Sequence, residues 1–229
     1  MKKIVVFTGA GISRESGIAT FRDIDGLWAE HRIEDVCTPE ALARNRTRVI
    51  DFYNMRRREV LSKEPNAAHH ALVNLEKHFD VEVVTQNIDD LHERAGSTHV
   101  LHLHGEIRKL RSSLDELASV PIEGWEQPLD ARHADGSLLR PFVVFFGESV
   151  PMLERAAEIV RAADAMIVVG TSLQVYPAAS LVHYLRPDAP LWLIDPNAPP
   201  LRRSGLSVIR QPASVGVPQL VGELICHAN

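Results

Sequence analysis

Four clusters of polar residues in this 229-residue chain each follow a short apolar run. The first is Gly9-Ala10-Gly11-Ile12-Ser13, with Thr20-Phe21-Arg22-Asp23 soon after. The second is Thr85-Gln86-Asn87-Ile88-Asp89-Asp90-Leu91-His92, the third Leu101-His102-Leu103-His104-Gly105-Glu106, and the fourth Gly170-Thr171-Ser172. A Gly-x-Gly turn lets the backbone approach a pyrophosphate, and the free N–H groups of a first helical turn point at the anion. Imidazoles titrate near neutral pH and can move protons there. One polar strand end means little, but four at successive ends imply a shared crevice, where open α/β sheets take ligands. Two plainer readings compete. The dinucleotide fingerprint wants a third glycine where Arg14 stands, and the plainer reading of the turn is packing alone. His102-x-His104 has the spacing of a metal-ligand pair, or of two structural histidines.

The elements that would position these clusters are legible as short runs. Strands are expected at Lys3–Thr8, Val81–Thr85, Val100–Leu103, Val143–Phe146, Ala165–Val169 and Leu191–Ile194. Several are continuous Val/Ile/Leu stretches, as strands covered on both faces require. Helices are expected at Arg48–Leu61, Ala67–His78, Met152–Ala162, Ala178–Leu185 and Pro218–His227. The alternation predicts an α/β fold with a doubly wound parallel sheet. Two stretches interrupt it. His31–Glu64 is helical, basic and polar, and Arg108–Arg140 is irregular and rich in Pro and Gly. Both read as insertions that form a small second lobe. The expected division of this single catalytic domain is a large lobe at about 1–30, 79–107 and 141–229, with the small lobe at about 31–78 and 108–140.

Bulk properties remove several classes of function. Net charge is −5 and 45% of residues are hydrophobic, which gives a core but no general affinity for nucleic acid or a membrane surface. Cys37 and Cys226 lie far apart, against a disulfide framework and in keeping with a reducing compartment. The apolar start is too short for an export signal, so the expected location is the cytoplasm. The expected state is a monomer, which no residue pattern fixes.

Taken together and in order, Gly-Ala-Gly-Ile-Ser, Thr-Phe-Arg, Thr-Gln-Asn-Ile-Asp-x-Leu-His, Leu-His-Gly-Glu, Val-Val-x-Phe-Gly-Glu and Gly-Thr-Ser resemble the sirtuins, NAD-dependent protein lysine deacylases. The resemblance runs from Val5 to about Leu224. It implies a Rossmann-like sheet, NAD as cofactor and acylated protein lysines as partners. It further implies that His104 is the general base, with Asn87 and Asp89 completing the catalytic set. Cofactor contacts are implied at Gly9, Ala10, Gly11, Ser13, Phe21, Arg22, Gln86, Asn87, Ile88, Asp89, Gly170, Thr171, Ser172, Asp195, Ser214 and Val215. The acyl-lysine is expected between Val144, Phe146, Gly147 and Glu148 on one side and Val175 on the other.

Tyr53 and Arg56 stand at i and i+3 of a helical stretch and share a face. A phenol beside a guanidinium makes a carboxylate clamp. The pair resembles the Tyr-x-x-Arg of sirtuins that accept succinyl- and malonyl-lysine; the plainer reading is a solvated run Arg56-Arg57-Arg58. The chain departs from the family where two Cys-x-x-Cys pairs usually hold zinc. Arg108–Arg140 has no cysteine, and Ser112 sits about where the first ligand would fall, so no zinc is expected. That lobe is expected to pack around Leu114, Leu117, Val120, Trp125 and Leu129. The rival functions are protein mono-ADP-ribosyl transfer and a non-catalytic NAD-binding module.

Overall fold

The computed structural model describes residues 1–19 and 31–228, so Phe21 and Arg22 lie outside the described residues. Among the described residues nine strands form two sheets: β1 (Lys3–Thr8), β2 (Asp80–Thr85), β3 (Val100–His102), β4 (Gly105–Ser112), β5 (Ser119–Pro121), β6 (Leu139–Val143), β7 (Ala165–Val169), β8 (Leu191–Ile194) and β9 (Leu206–Ile209). Six run in one parallel sheet ordered β3-β2-β1-β7-β8-β9. The order reverses between β1 and β7, which makes their carboxyl ends the topological switch point, the usual ligand crevice of such sheets.

The two faces of this sheet follow from the period of two. Val5, Phe7, Met166, Val168, Leu191 and Leu193 enter one apolar cluster, with the helix Leu153–Arg161 and the 3-10 helix Ala178–His183 over them. Ile4, Val6, Val81, Val83, Ile167 and Val169 enter the other, covered by helices Ala67–Leu75 and Ala213–Ala228. Alternate side chains of one strand thus serve opposite cores, which is why β7 and the Ile4–Phe7 stretch of β1 are apolar throughout.

The second sheet is antiparallel, ordered β5-β4-β6. The segment read as irregular, Arg108–Arg140, therefore contains β5 and most of β4, and ends as β6 begins. Its apolar cluster is Leu110, Ile122 and Leu139, backed by Val120 and Ala131. Four of the five expected core residues are exposed instead, Leu114 at 80% and Leu117 at 58%, with Trp125 and Leu129 less so. Leu114 and Leu117 fall in the connection between β4 and β5, not on a strand face. Ser112 closes that connection. Its hydroxyl donates to Asp135 Oδ2 at 2.6 Å, accepts from the N–H of Leu114 and Asp115, and lies 2.9 Å from Ser137 Oγ. Among the described residues no group of three or more His, Cys, Asp or Glu is placed to hold a metal ion, and no helix is long and apolar enough to cross a membrane.

Helix Arg46–Leu61 packs on the second sheet, against β4 and β6. Asn45 caps it, accepting from the N–H of Arg48 at 3.1 Å. Arg57, fully buried, donates to the carbonyls of Ile107 (2.7 Å) and Trp125 (2.7 Å) and to Asn54 Oδ1 (2.9 Å). Only Arg58 of the arginine run is solvent-facing, and its guanidinium lies over the Trp125 ring. The solvated-run reading thus fails for Arg56 and Arg57.

Candidate active site

Five parallel strands end on one cavity of about 660 Å³. From β1 come Gly9, Ala10 and Gly11; from β2, Gln86, Asn87 and Ile88; beyond β3, His104; from β7, Gly170, Thr171 and Ser172; from β8, Asp195. The turns after β1 and β7 pack backbone to backbone. A Cβ on Gly11 would meet Gly170 Cα at 2.6 Å, and Gly170 itself takes φ +61°, so neither position accepts a side chain without displacing the other turn. Gln86 Nε2 donates to Thr171 Oγ1 at 3.0 Å and ties β2's end to the same floor.

Ser13 and Asp89 stand behind the wall, with Asn87 in front of them. Ser13, fully buried, donates to Asp89 Oδ2 at 3.1 Å and accepts from Asn87 Nδ2 at 3.2 Å. Asp89 also takes the Leu91 N–H at 3.2 Å. Burial raises its carboxyl above the usual range, against the lowering effect of those two bonds. Ser13 thereby orders Asn87 and Asp89, and its hydroxyl is already engaged. Ser214 and Val215 open the last helix beside Ala213, which does line the cavity; the Ser214 N–H donates to the Glu15 carboxylate at 3.1 Å. Asp195 lines the cavity with Oδ1 accepting the Asn197 N–H at 2.7 Å, and burial raises its carboxyl.

His104 Nδ1 lies 3.0 Å from the Gln86 carbonyl oxygen. A carbonyl only accepts, so Nδ1 carries the proton and Nε2 is the basic nitrogen. Burial lowers the ring's pKa, against the raising effect of that bond, and favours the neutral base.

The cavity is also lined by Tyr53, Arg56, Val144, Phe146, Gly147, Glu148 and Val175, the residues expected on the acyl side. Tyr53 and Arg56 do share a helix face and both are buried, Arg56 at 5% exposure. The Tyr53 ring stacks on Phe145 at 5.8 Å, and the Arg140 guanidinium covers Phe145 at 3.9 Å. Burial raises the Tyr53 phenol well above its ordinary range, so it is a neutral donor. Arg56 pairs with Glu59 one turn on, within the same helix. Glu148 is largely spent on scaffolding. Arg140 donates to it at 2.6 Å, Arg111 at 3.1 Å and the Phe145 N–H at 2.7 Å. Burial would raise this carboxyl, but the Arg140 and Phe145 bonds outweigh it and hold it below its usual range.

Sequence reasoning passed over Cys37, Phe52, Arg14 and Glu15, all of which line the cavity. Cys37 Sγ lies 3.2 Å from the Tyr53 hydroxyl, and burial raises its pKa. A lone cysteine ahead of Thr-Pro gives no sequence signal of such a place. Arg14 was legible, standing one residue beyond Ser13 in the glycine turn.

The crevice at a switch point, glycine turns and a base with a fixed tautomer define a nucleotide-using α/β domain. Comparison with known proteins narrows the class. The Sir2 family model matches residues 9–177. An NAD-dependent protein deacylase of Aggregatibacter actinomycetemcomitans is 58% identical over 198 residues, covering 86% of this chain and 95% of its own. Another from Bacteroides thetaiotaomicron is 48% identical over 231 residues, covering 98% and 99%. The crystal structure of a Sir2 homolog–NAD complex superposes with a TM-score of 0.90 at 40% identity, over 100% of this chain and 91% of that one. The chain belongs to the Sir2 family.

Proposed function

We propose that this chain is an NAD-dependent protein lysine deacylase. It removes acetyl groups and, through Tyr53 and Arg56, succinyl and malonyl groups, leaving free lysine, nicotinamide and O-acyl-ADP-ribose. The observation that carries this is His104, whose basic Nε2 belongs to the same cavity as the Gly9–Gly11 turn and the Tyr53/Arg56 face. The donor set fits NAD: close-packed glycine turns for a pyrophosphate, Asp195 to accept from ribose hydroxyls, and Gln86 and Asn87 amides beside them. When bound, NAD supplies the ribose carbon that gives up nicotinamide and takes the acyl oxygen.

The remaining roles belong to the chain. Gly9, Ala10, Gly11, Gly170, Thr171 and Ser172 hold the phosphates. Ser214 and Val215 border the adenine end. Asn87, Ile88 and Asp89 hold the nicotinamide end, with Ser13 fixing Asn87 and Asp89 from behind. His104 Nε2 takes the ribose hydroxyl proton, as a neutral imidazole can near pH 7. Val144, Phe146, Gly147 and Val175 flank the acyl-lysine, Glu148 secures their turn, and the peptide adds as a strand. The small lobe, with the helix Arg46–Leu61, supplies the acyl clamp. Free Cys37 and Cys226 suit work in the cytoplasm.

The test is nicotinamide release from NAD with acetylated, succinylated and unmodified versions of one peptide. Release is expected only with the acylated forms. ADP-ribose appearing on unmodified protein would favour ADP-ribosyl transfer, and no release would leave a binding module.

A further inference from the structure

Four consecutive carbonyls after β2 are taken by four groups from one short stretch. Thr85 O accepts the Leu103 N–H at 2.9 Å, and Ile88 O accepts the Ile107 N–H at 2.8 Å. Between them, Gln86 O lies 3.0 Å from His104 Nδ1 and Asn87 O lies 2.8 Å from His102 Nδ1. The loop that bears Gln86, Asn87 and Asp89 is therefore pinned along its length, and two of the four pins are imidazoles.

Those two imidazoles differ in charge. The other nitrogen of His102, Nε2, lies 2.7 Å from Glu93 Oε1. A carbonyl oxygen and a carboxylate oxygen both only accept, so a ring bonded to one at each nitrogen must carry a proton on each. The His102 side chain is sheltered, with 7% exposed, and its partner Glu93, 41% exposed, stands on the short helix Leu91–Ala95.

We propose that His102 is a positioning residue of this site, an imidazolium held by Glu93 whose Nδ1–H fixes the Asn87 carbonyl as neutral His104 fixes that of Gln86. The proposal rests on the deacylase reading only for the reaction that the loop serves. The metal-ligand look of His102-x-His104 has a different cause, since each Nδ1 is committed to a loop carbonyl.

The surroundings agree. Burial works against the charged ring, but Glu93, the Asn87 carbonyl and Glu106 outweigh it and raise its pKa. Glu93 is lowered in turn, its burial outweighed by His102, with Lys109 adding to the effect. Asp89 feels the same positive charge from the loop side, and buried His92 is held neutral against it. Loss of the His102 proton would set a bare Nε2 against the Glu93 carboxylate and free the ring to turn from Asn87.

The test joins the charge state to the loop. In protein labelled with ¹⁵N-histidine, His102 is assigned by its absence in His102→Asn. At pH 7.5 both its ring nitrogens should show protonated shifts. In Glu93→Gln the amide N–H can donate to Nε2, so His102 should become neutral with one bare nitrogen. NAD affinity is then measured by calorimetry. His102→Leu, which removes the pin, should bind NAD about tenfold more weakly, the scale expected for one charge-assisted hydrogen bond. His102→Asn, whose amide can replace the Nδ1 donor, should recover most of that loss. A single protonated nitrogen in the wild type overturns the imidazolium, and unchanged NAD affinity in His102→Leu overturns the positioning role. Should His102→Leu not fold, an affinity for His102→Asn as weak as expected of a lost pin overturns it equally. A wild type that binds NAD with these dependences yet leaves acyl-lysine untouched refutes the deacylase reading and not this one.

Discussion

Replacing Arg56 with methionine deletes a guanidinium and keeps an unbranched side chain in its place. In the wild type Arg56 is 5% exposed, lines the cavity with Tyr53 and is paired with Glu59. A succinyl carboxylate would enter as a second anion beside it. A hydrogen bond to a charged partner is worth about 1.5–3 kcal/mol, so losing it weakens succinyl-lysine by roughly 10- to 100-fold. Glu59 then faces the incoming carboxylate without its counter-charge, which moves the effect toward the upper end of that range. An acetyl group has no carboxylate to lose, so its change should stay within about threefold, as for a site away from the charge. Folding should survive, because the residue left unpaired, Glu59, keeps 28% of its side chain exposed and can hydrate. The assay is steady-state kinetics on one peptide sequence carrying acetyl or succinyl at the same lysine. An equal loss for both acyl groups would refute the clamp.

Three further perturbations test other parts of the structure. His104→Ala should lower deacylation by at least about 100-fold, the scale of a lost general base, while NAD binding by calorimetry persists; full residual activity would remove His104 as the base. His69 and His92 are buried against each other, ring centroids 5.0 Å apart, and burial holds His69 at about 4 and His92 well below its ordinary value. Both bind protons more readily when unfolded, so their contribution to stability is present above the unfolded pKa and declines as pH falls below it. His69 alone should cost about 2 kcal/mol between pH 7.5 and pH 5, and a flat urea-unfolding profile over that range would contradict it. Arg57→Met strands the Ile107 and Trp125 carbonyls, while Asn54 Oδ1 keeps the Gln127 N–H, and should destabilise by about 3 kcal/mol in the same assay; a loss under about 1 kcal/mol would show that those carbonyls find other partners.

Strands β1, β7 and β8 were legible to the residue because each is a continuous apolar run whose ends are polar. Strands β4, β5 and β6 were not, since a small sheet with a solvated face carries charged residues such as Arg108, Lys109 and Arg111 among its apolar ones. Val143–Phe146 was expected as a strand, but β6 stops at Val143, and the chain turns as Glu148 folds back onto the Phe145 N–H. The arginine run shows the same limit from another side. Burial of Arg57 depends on carbonyls 50 and 68 residues away, which local pattern does not reveal. The shared cavity read well from the strand ends, because Gly9–Gly11, Gln86–Ile88, His104, Gly170–Ser172 and Asp195 follow strands whose order in the chain sets their places in the sheet. Cys37, placed at the clamp by a contact across the helix pair, did not.

The most direct measurement is mass spectrometry of paired acetyl- and succinyl-lysine peptides incubated with the protein, with and without NAD. Loss of both acyl groups only when NAD is present, with O-acetyl- and O-succinyl-ADP-ribose appearing in step, is the expected result. Peptides left intact, or acyl groups lost without NAD, would contradict it.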